Sequence, residues 1–124
     1  MARLDETKIP QVREMFAAVD SAEIDSFVTY LAPQVRFRFA NGAPLIGRDA
    51  VRLNLIEFFK NFRSLRHDIN EIWINGDVVI CEQTVTYTRH DGSKVSMPCV
   101  NILKFKDTLI SEYLIYIDLA PLFA

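Results

Sequence analysis

The sequence predicts an α+β domain in which N-terminal helices pack on a long antiparallel sheet. Three observations predict it. Apolar residues recur at three- and four-residue steps early in the chain, then switch to strict alternation from Gln34. After about Leu65, long alternating runs are separated by Asn-Gly and Asp-Gly turns, the strongest short-range hairpin signals.

In chain order, Ile9, Val12, Met15, Phe16 and Val19 form one apolar stripe, and Pro10 places the start of that helix near Thr7. Asp20 and Glu23 have capping-box spacing and predict a second, short helix with Ile24, Phe27, Val28 and Leu31 buried, ended by Pro33. In Gln34–Ala40, Val35, Phe37 and Phe39 alternate with Arg36 and Arg38 as a strand. The turn Asn41–Pro44 and the short stretch Leu45–Gly47 lead to Asp49, the expected cap of a third helix. That helix carries Val51, Leu55, Phe58, Phe59 and Phe62 on one side and Arg52, Glu57, Lys60 and Asn61 on the other. Four strands follow, with turns at Asn75-Gly76-Asp77, His90-Asp91-Gly92-Ser93 and Asp107-Thr108, so they form a meander.

At 124 residues the chain suits one domain, 1–124, with a single core. It is 50% hydrophobic and 24% charged, a globular composition. A net charge of −2 argues against a nucleic-acid partner, and no apolar run is long enough to span a membrane. Met1–Glu6 lacks the apolar core of a secretory signal, so a cytoplasmic location is expected, with Cys81 and Cys99 as buried thiols. The histidines and cysteines lack metal-motif spacing, and the four glycines form no phosphate loop or dinucleotide fingerprint. Neither a metal nor another cofactor is expected.

Several segments carry a resemblance. Met15–Asp25 looks like the helical opening of ketosteroid isomerases, and Leu31–Phe37 resembles the start of their first strand. Pro44–Val51 is similar to the turn before their third helix, and Leu114–Leu119 to the closing strand of SnoaL-like polyketide cyclases and limonene epoxide hydrolases. The order of elements is that of the nuclear transport factor 2-like superfamily. This resemblance implies a cone-shaped, cystatin-like fold with a mostly apolar cavity between helices and sheet. Because the superfamily includes isomerases, cyclases, hydrolases, dehydratases and non-catalytic binders, function must come from the site.

Matched to ketosteroid isomerases, the general-base position holds Arg38 and the oxyanion-hole positions hold Met15 and Asn101. Arginine is no base at neutral pH, which argues against that mechanism. The epoxide hydrolase positions hold Gln83, Val85 and Ile115, with no carboxylate to activate water. The cyclase branch implies an acid–base aspartate near Asp118. Strand parity, however, sets Tyr113, Ile115 and Ile117 on one face and Leu114, Tyr116 and Asp118 on the other, and only a bulge would reconcile the two alignments.

The residues themselves supply further candidates. His67, between Arg66 and Asp68 at a strand entry, is either a hydrogen-bonded surface histidine or an acid–base group. Gln83 and Asn101 interrupt apolar strand faces, as sparse polar groups in a ligand pocket do. Arg36 and Arg38 belong to a solvated strand face unless they meet an anionic ligand. The expected site therefore comprises Asp118 and His67 as catalytic groups, with Arg38, Gln83, Asn101 and Tyr113 binding a small apolar or carbonyl-bearing ligand. Two functional readings stay open: a cofactor-free enzyme of the isomerase, cyclase or hydratase kind, or a non-catalytic binding or dimerisation module. The threonine-rich face Thr84, Thr86 and Thr88 points to a homodimer formed through the sheet.

Overall fold

A computed structural model describes residues 4–124. Met1, Ala2 and Arg3, part of the stretch read for a secretory signal, lie outside the described residues. Helix α1 (Leu4–Asp20) leads through α2 (Ile24–Val28) to strands β1 (Leu31–Phe39) and β2 (Leu45–Ile46). Helix α3 (Arg48–Phe58) continues into a 3₁₀ turn (Phe59–Asn61). The meander β3 (Ser64–Asn75), β4 (Val78–Thr88), β5 (Lys94–Lys106) and β6 (Leu109–Ile117) follows, and α4 (Ala120–Phe123) closes the chain. No helix among the described residues is long and apolar enough to cross a membrane.

Helix α1 buries Val12, Met15, Phe16 and Val19, as their spacing predicts. It begins earlier than Pro10 suggested. Pro10 lies inside the helix, where its cost includes one missing backbone hydrogen bond. The capping box is a correction too. Glu23 is the N-cap of α2 and makes no side-chain cap bond. The end of α1 is instead a Schellman turn: Ala22 has φ 57°, its N–H bonds the Val19 carbonyl at 2.9 Å, and the Glu23 N–H bonds that of Ala18 at 2.9 Å. Asp20 is thus the last helical residue and its carboxylate is free for another partner.

Strand β1 starts at Leu31, so Leu31 and Pro33 belong to it and not to the short helix. Pro33, which cannot donate to a ladder, falls in the register shift between Leu31 and Arg36. Asp49 is not the cap of α3. Gly47 holds that position with φ 95°, a left-handed value that favours glycine, and Asp49 sits in the first turn, where its charge suits the helix dipole. The expected turns are present: Gly76 has φ 60°, Gly92 φ 89° and Asp107 φ 58°.

The six strands form one sheet in the order β2-β1-β6-β5-β4-β3. All neighbours are antiparallel except β1 and β6, which run parallel. The core lies between the inner sheet face and the helices, from Phe27, Leu31 and Val51 to Val79, Leu103 and Ile110. Cys81 and Cys99 are buried free thiols within it, and burial raises the first to about 11 and the second to about 12.

One outer row secures the parallel pair. Arg36 of β1, Glu112 of β6 and Lys104 of β5 are register neighbours, and Glu112 takes hydrogen bonds from Arg36 at 2.7 Å and Lys104 at 2.9 Å. The Lys104 bond, then the Arg36 bond, hold the Glu112 carboxyl below its ordinary value, with burial opposing. A carboxyl depressed in the folded state stabilises the fold above its unfolded value, and this contribution is lost as pH falls through the depressed value. Glu112→Gln should therefore cost about 0.5–1 kcal/mol in urea denaturation at neutral pH, with no difference from wild type once the solution is acidic enough to protonate Glu112. Both thiols should resist a disulfide reagent in mildly alkaline buffer and react only when denaturant is added.

Candidate functional site

The inner sheet face and the helices enclose a cavity of about 40 Å³, lined mostly by apolar side chains. Its polar lining comes from His67 on β3, Tyr87 on β4, Asn101 on β5 and Tyr113 on β6. Four adjacent strands of alternating parity thus aim sparse polar groups into one mostly apolar space.

His67 is the best organised of these. Asp20, left uncommitted by the Schellman turn, accepts the His67 backbone N–H at 3.0 Å and lies 2.6 Å from Nδ1. Beside a carboxylate, Nδ1 carries the proton of the neutral ring, which leaves Nε2 as the basic nitrogen. Phe16 packs on the imidazole with ring centres 5.1 Å apart and fixes its plane. The far side of His67 borders a surface cleft with Arg13, Asp20 and Asp68, so this residue stands between the cavity and solvent.

Tyr113 is buried between Phe27 and Phe37, at ring-centre distances of 5.7 and 5.1 Å. Burial pushes its phenol well above the usual value, and Cys99 and Cys81, once ionised, and Asp20 act in the same direction. Tyr113 is therefore a neutral hydrogen-bond donor under ordinary conditions. Asn101 is also buried, and its Oδ1 accepts from Gln83 Nε2 and, at 3.6 Å, from the Cys99 thiol. With its oxygen occupied, the Asn101 amide has its N–H₂ to offer a ligand. Gln83 stands behind Asn101. Its Oε1 is buried with no protein partner, an arrangement that costs about 1–3 kcal/mol if nothing answers it.

The structure places two expected residues elsewhere. Asp118 is exposed past the end of β6, and its Oδ1 accepts the Ala120 N–H at 3.0 Å at the start of α4. A bulge does interrupt β6, but it falls between Ile110 and Glu112, ahead of the conflict. From Tyr113 onward parity is regular, so Tyr113, Ile115 and Ile117 line the cavity and Asp118 does not. Arg38 lies on the outer face of β1, exposed, with Nε donating to the Gly42 carbonyl at 3.2 Å. The solvated-face reading of Arg36 and Arg38 is the one this geometry supports. Of the six expected residues, His67, Asn101 and Tyr113 meet at the cavity, Gln83 supports Asn101, and Asp118 and Arg38 are outside.

Asp20 was missed, because its spacing to Glu23 reads as a helix cap and its partner is 47 positions away. Among the described residues no cluster of His, Cys, Asp and Glu is arranged to hold a metal ion.

Comparison with known proteins agrees with this architecture. A candidate SnoaL-like polyketide cyclase from Jannaschia superposes with a TM-score of 0.86 at 17% identity, over 99% of this chain and 93% of that one. An NTF2-like protein of unknown function from Burkholderia pseudomallei superposes with a TM-score of 0.82 at 20% identity, over 92% of each chain. An LEH-like epoxide hydrolase from M. tuberculosis gives 0.77 at 16% identity, over 93% of this chain and 85% of that one. These likenesses show the NTF2-like fold. Among curated proteins none matches the sequence. The model of the SnoaL-like domain matches residues 12–113, most of the chain, and the protein belongs to the SnoaL-like domain family.

Proposed function

We propose that this protein is a cofactor-free acid–base enzyme acting on a small, largely apolar carbonyl compound. The supporting observation is that His67, held by Asp20, lines the same cavity as two neutral donors, Tyr113 and Asn101. His67 Nε2 removes a proton from carbon next to the carbonyl, and Asp20 stabilises the imidazolium that forms. Tyr113 and Asn101 donate to the oxygen as it gains negative charge, in a buried, mostly apolar setting where such bonds are strong. Return of the proton at another atom gives isomerisation. Attack by the enolate carbon on a second carbonyl in the same molecule, whose oxygen takes the proton back from His67, gives cyclisation.

The test is solvent exchange of the methyl protons of acetophenone in deuterium oxide, followed by proton NMR. Wild type should exchange them faster than buffer. His67→Ala should lower the protein-dependent rate by about 10²–10⁴-fold. Asp20→Asn and Tyr113→Phe should each lower it, and Asp118→Asn should leave it unchanged. Binding of acetophenone by wild type without exchange would favour the non-catalytic module instead, and exchange that survives His67→Ala would rule out the assigned base.

The outer sheet face supports a homodimer. Trp73, Ile80, Ile102 and Leu114 are successive register neighbours on β3, β4, β5 and β6, with Tyr116 in the adjoining row. Trp73 is 50% exposed and Tyr116 56%, which is costly for an unpartnered face. A two-fold axis along this row sets it against its own copy, an isologous contact. Light scattering should give twice the chain mass for wild type and the single-chain mass for Ile102→Lys. A monomeric wild type would remove the proposal.

A further inference from the structure

The cavity is too small for most of the ligands its chemistry suits. About 40 Å³ holds roughly three waters at one probe sphere of about 10–15 Å³ each, whereas ligand sites usually run to about 300–1,000 Å³. Immediately outside lies an open groove of about 470 Å³ between the Gly42–Leu45 segment and the α3 residues Asn54 and Glu57. Phe39 and Phe58 line both spaces. Their rings meet edge to face, 4.9 Å between centres, and form the partition.

The two rings are not equally fixed. Phe39 is carried on β1, whose next residue, Ala40, donates its N–H to the Ile115 carbonyl at 2.9 Å and so anchors the strand end. Phe58 is the last residue of α3, where the helix tightens into the 3₁₀ turn, a form with poorer hydrogen-bond geometry. It is partly exposed, while the rings it leans on, Phe62 at 5.1 Å and Tyr87 at 6.1 Å, are buried and pack on each other at 4.9 Å. A side-chain rotation at Phe58 would therefore join cavity to groove while leaving Phe62, Tyr87 and the backbone in place.

We infer that Phe58 is the specificity-determining residue of the site, a door whose displacement admits carbonyl compounds with a compact head and a second, bulkier arm. The head reaches His67, Tyr113 and Asn101. The arm lies in the groove, where Asn54 and Glu57 offer hydrogen bonds and Leu45 and Leu119 an apolar floor. This rests on the proposal that the cavity is the ligand site. A ligand that must displace the ring binds only the open fraction of molecules, and its apparent affinity falls by that fraction.

Calorimetric titration with acetone and benzophenone separates the two ideas. Phe58→Ala should bind benzophenone about tenfold more tightly than wild type does, with a much smaller change for acetone, a ketone compact enough to need little opening. Phe58→Trp should weaken benzophenone further. Phe58→Leu, which keeps an apolar side chain in the aromatic cluster, serves if thermal melting shows that the alanine variant does not fold, and should shift benzophenone in the same direction. Equal benzophenone affinity in wild type and the folded small variant would overturn the door while leaving the cavity as the ligand site. If no folded variant binds either ketone, both the cavity reading and the door fail.

Discussion

The parallel pairing of β1 with β6 is the contact on which the rest of the molecule depends. The four strands of the meander are joined in sequence by hairpin turns. The helices and β1 are joined to it by one long-range ladder, from Leu31 opposite Ile110 to Phe39 opposite Ile115. Parallel strands cannot be joined by a tight turn, and here the connection is everything between the first strand and the last. Glu112 secures the seam on the wet face with Arg36 and Lys104, and on the dry face Phe37 packs against Tyr113. The same ladder that closes the fold therefore fixes one of the donors in the cavity.

Helix α1 supplies the second requirement. Its apolar stripe lies on the sheet near β3, and its Schellman end fixes Asp20 as the final helical residue beside His67. A carboxylate at a helix C-terminus is unfavourable with respect to the helix dipole. The two hydrogen bonds from His67 give that charge a partner, and they set the tautomer of the ring. Helix termination and acid–base organisation are thus one piece of local geometry. The opposite wall shows a related economy, since Gln83 occupies the Asn101 oxygen and leaves its N–H₂ for the cavity.

Much of the fold was legible in the residues because it is locally encoded. Periods of two and of three to four identified the strands and helices, and Gly76, Gly92 and Asp107 marked the hairpins. The errors fall where local signals compete. Asp20 and Glu23 have the spacing of a capping box, but the chain ends α1 with a left-handed Ala22, a conformation rarely chosen by alanine. Asp49 looks like a cap, yet the strained position belongs to Gly47. Pro33 looks like a helix stop and is a strand residue in a register shift.

The sequence by itself determined the fold class, the hairpin order and the apolar character of the inner face, since all three follow from backbone preferences and spacing within a few residues. Tertiary structure decided which polar groups share the cavity. Asp118 and Arg38 carry suitable chemistry, but strand parity and a solvated outer face turn them away from it. Asp20 joins His67 across 47 residues, and Phe58 meets Phe39 only because α3 folds back over β1. Such pairings are set by the packing of whole elements against one sheet, a property of the assembled core to which no short stretch of sequence is a guide.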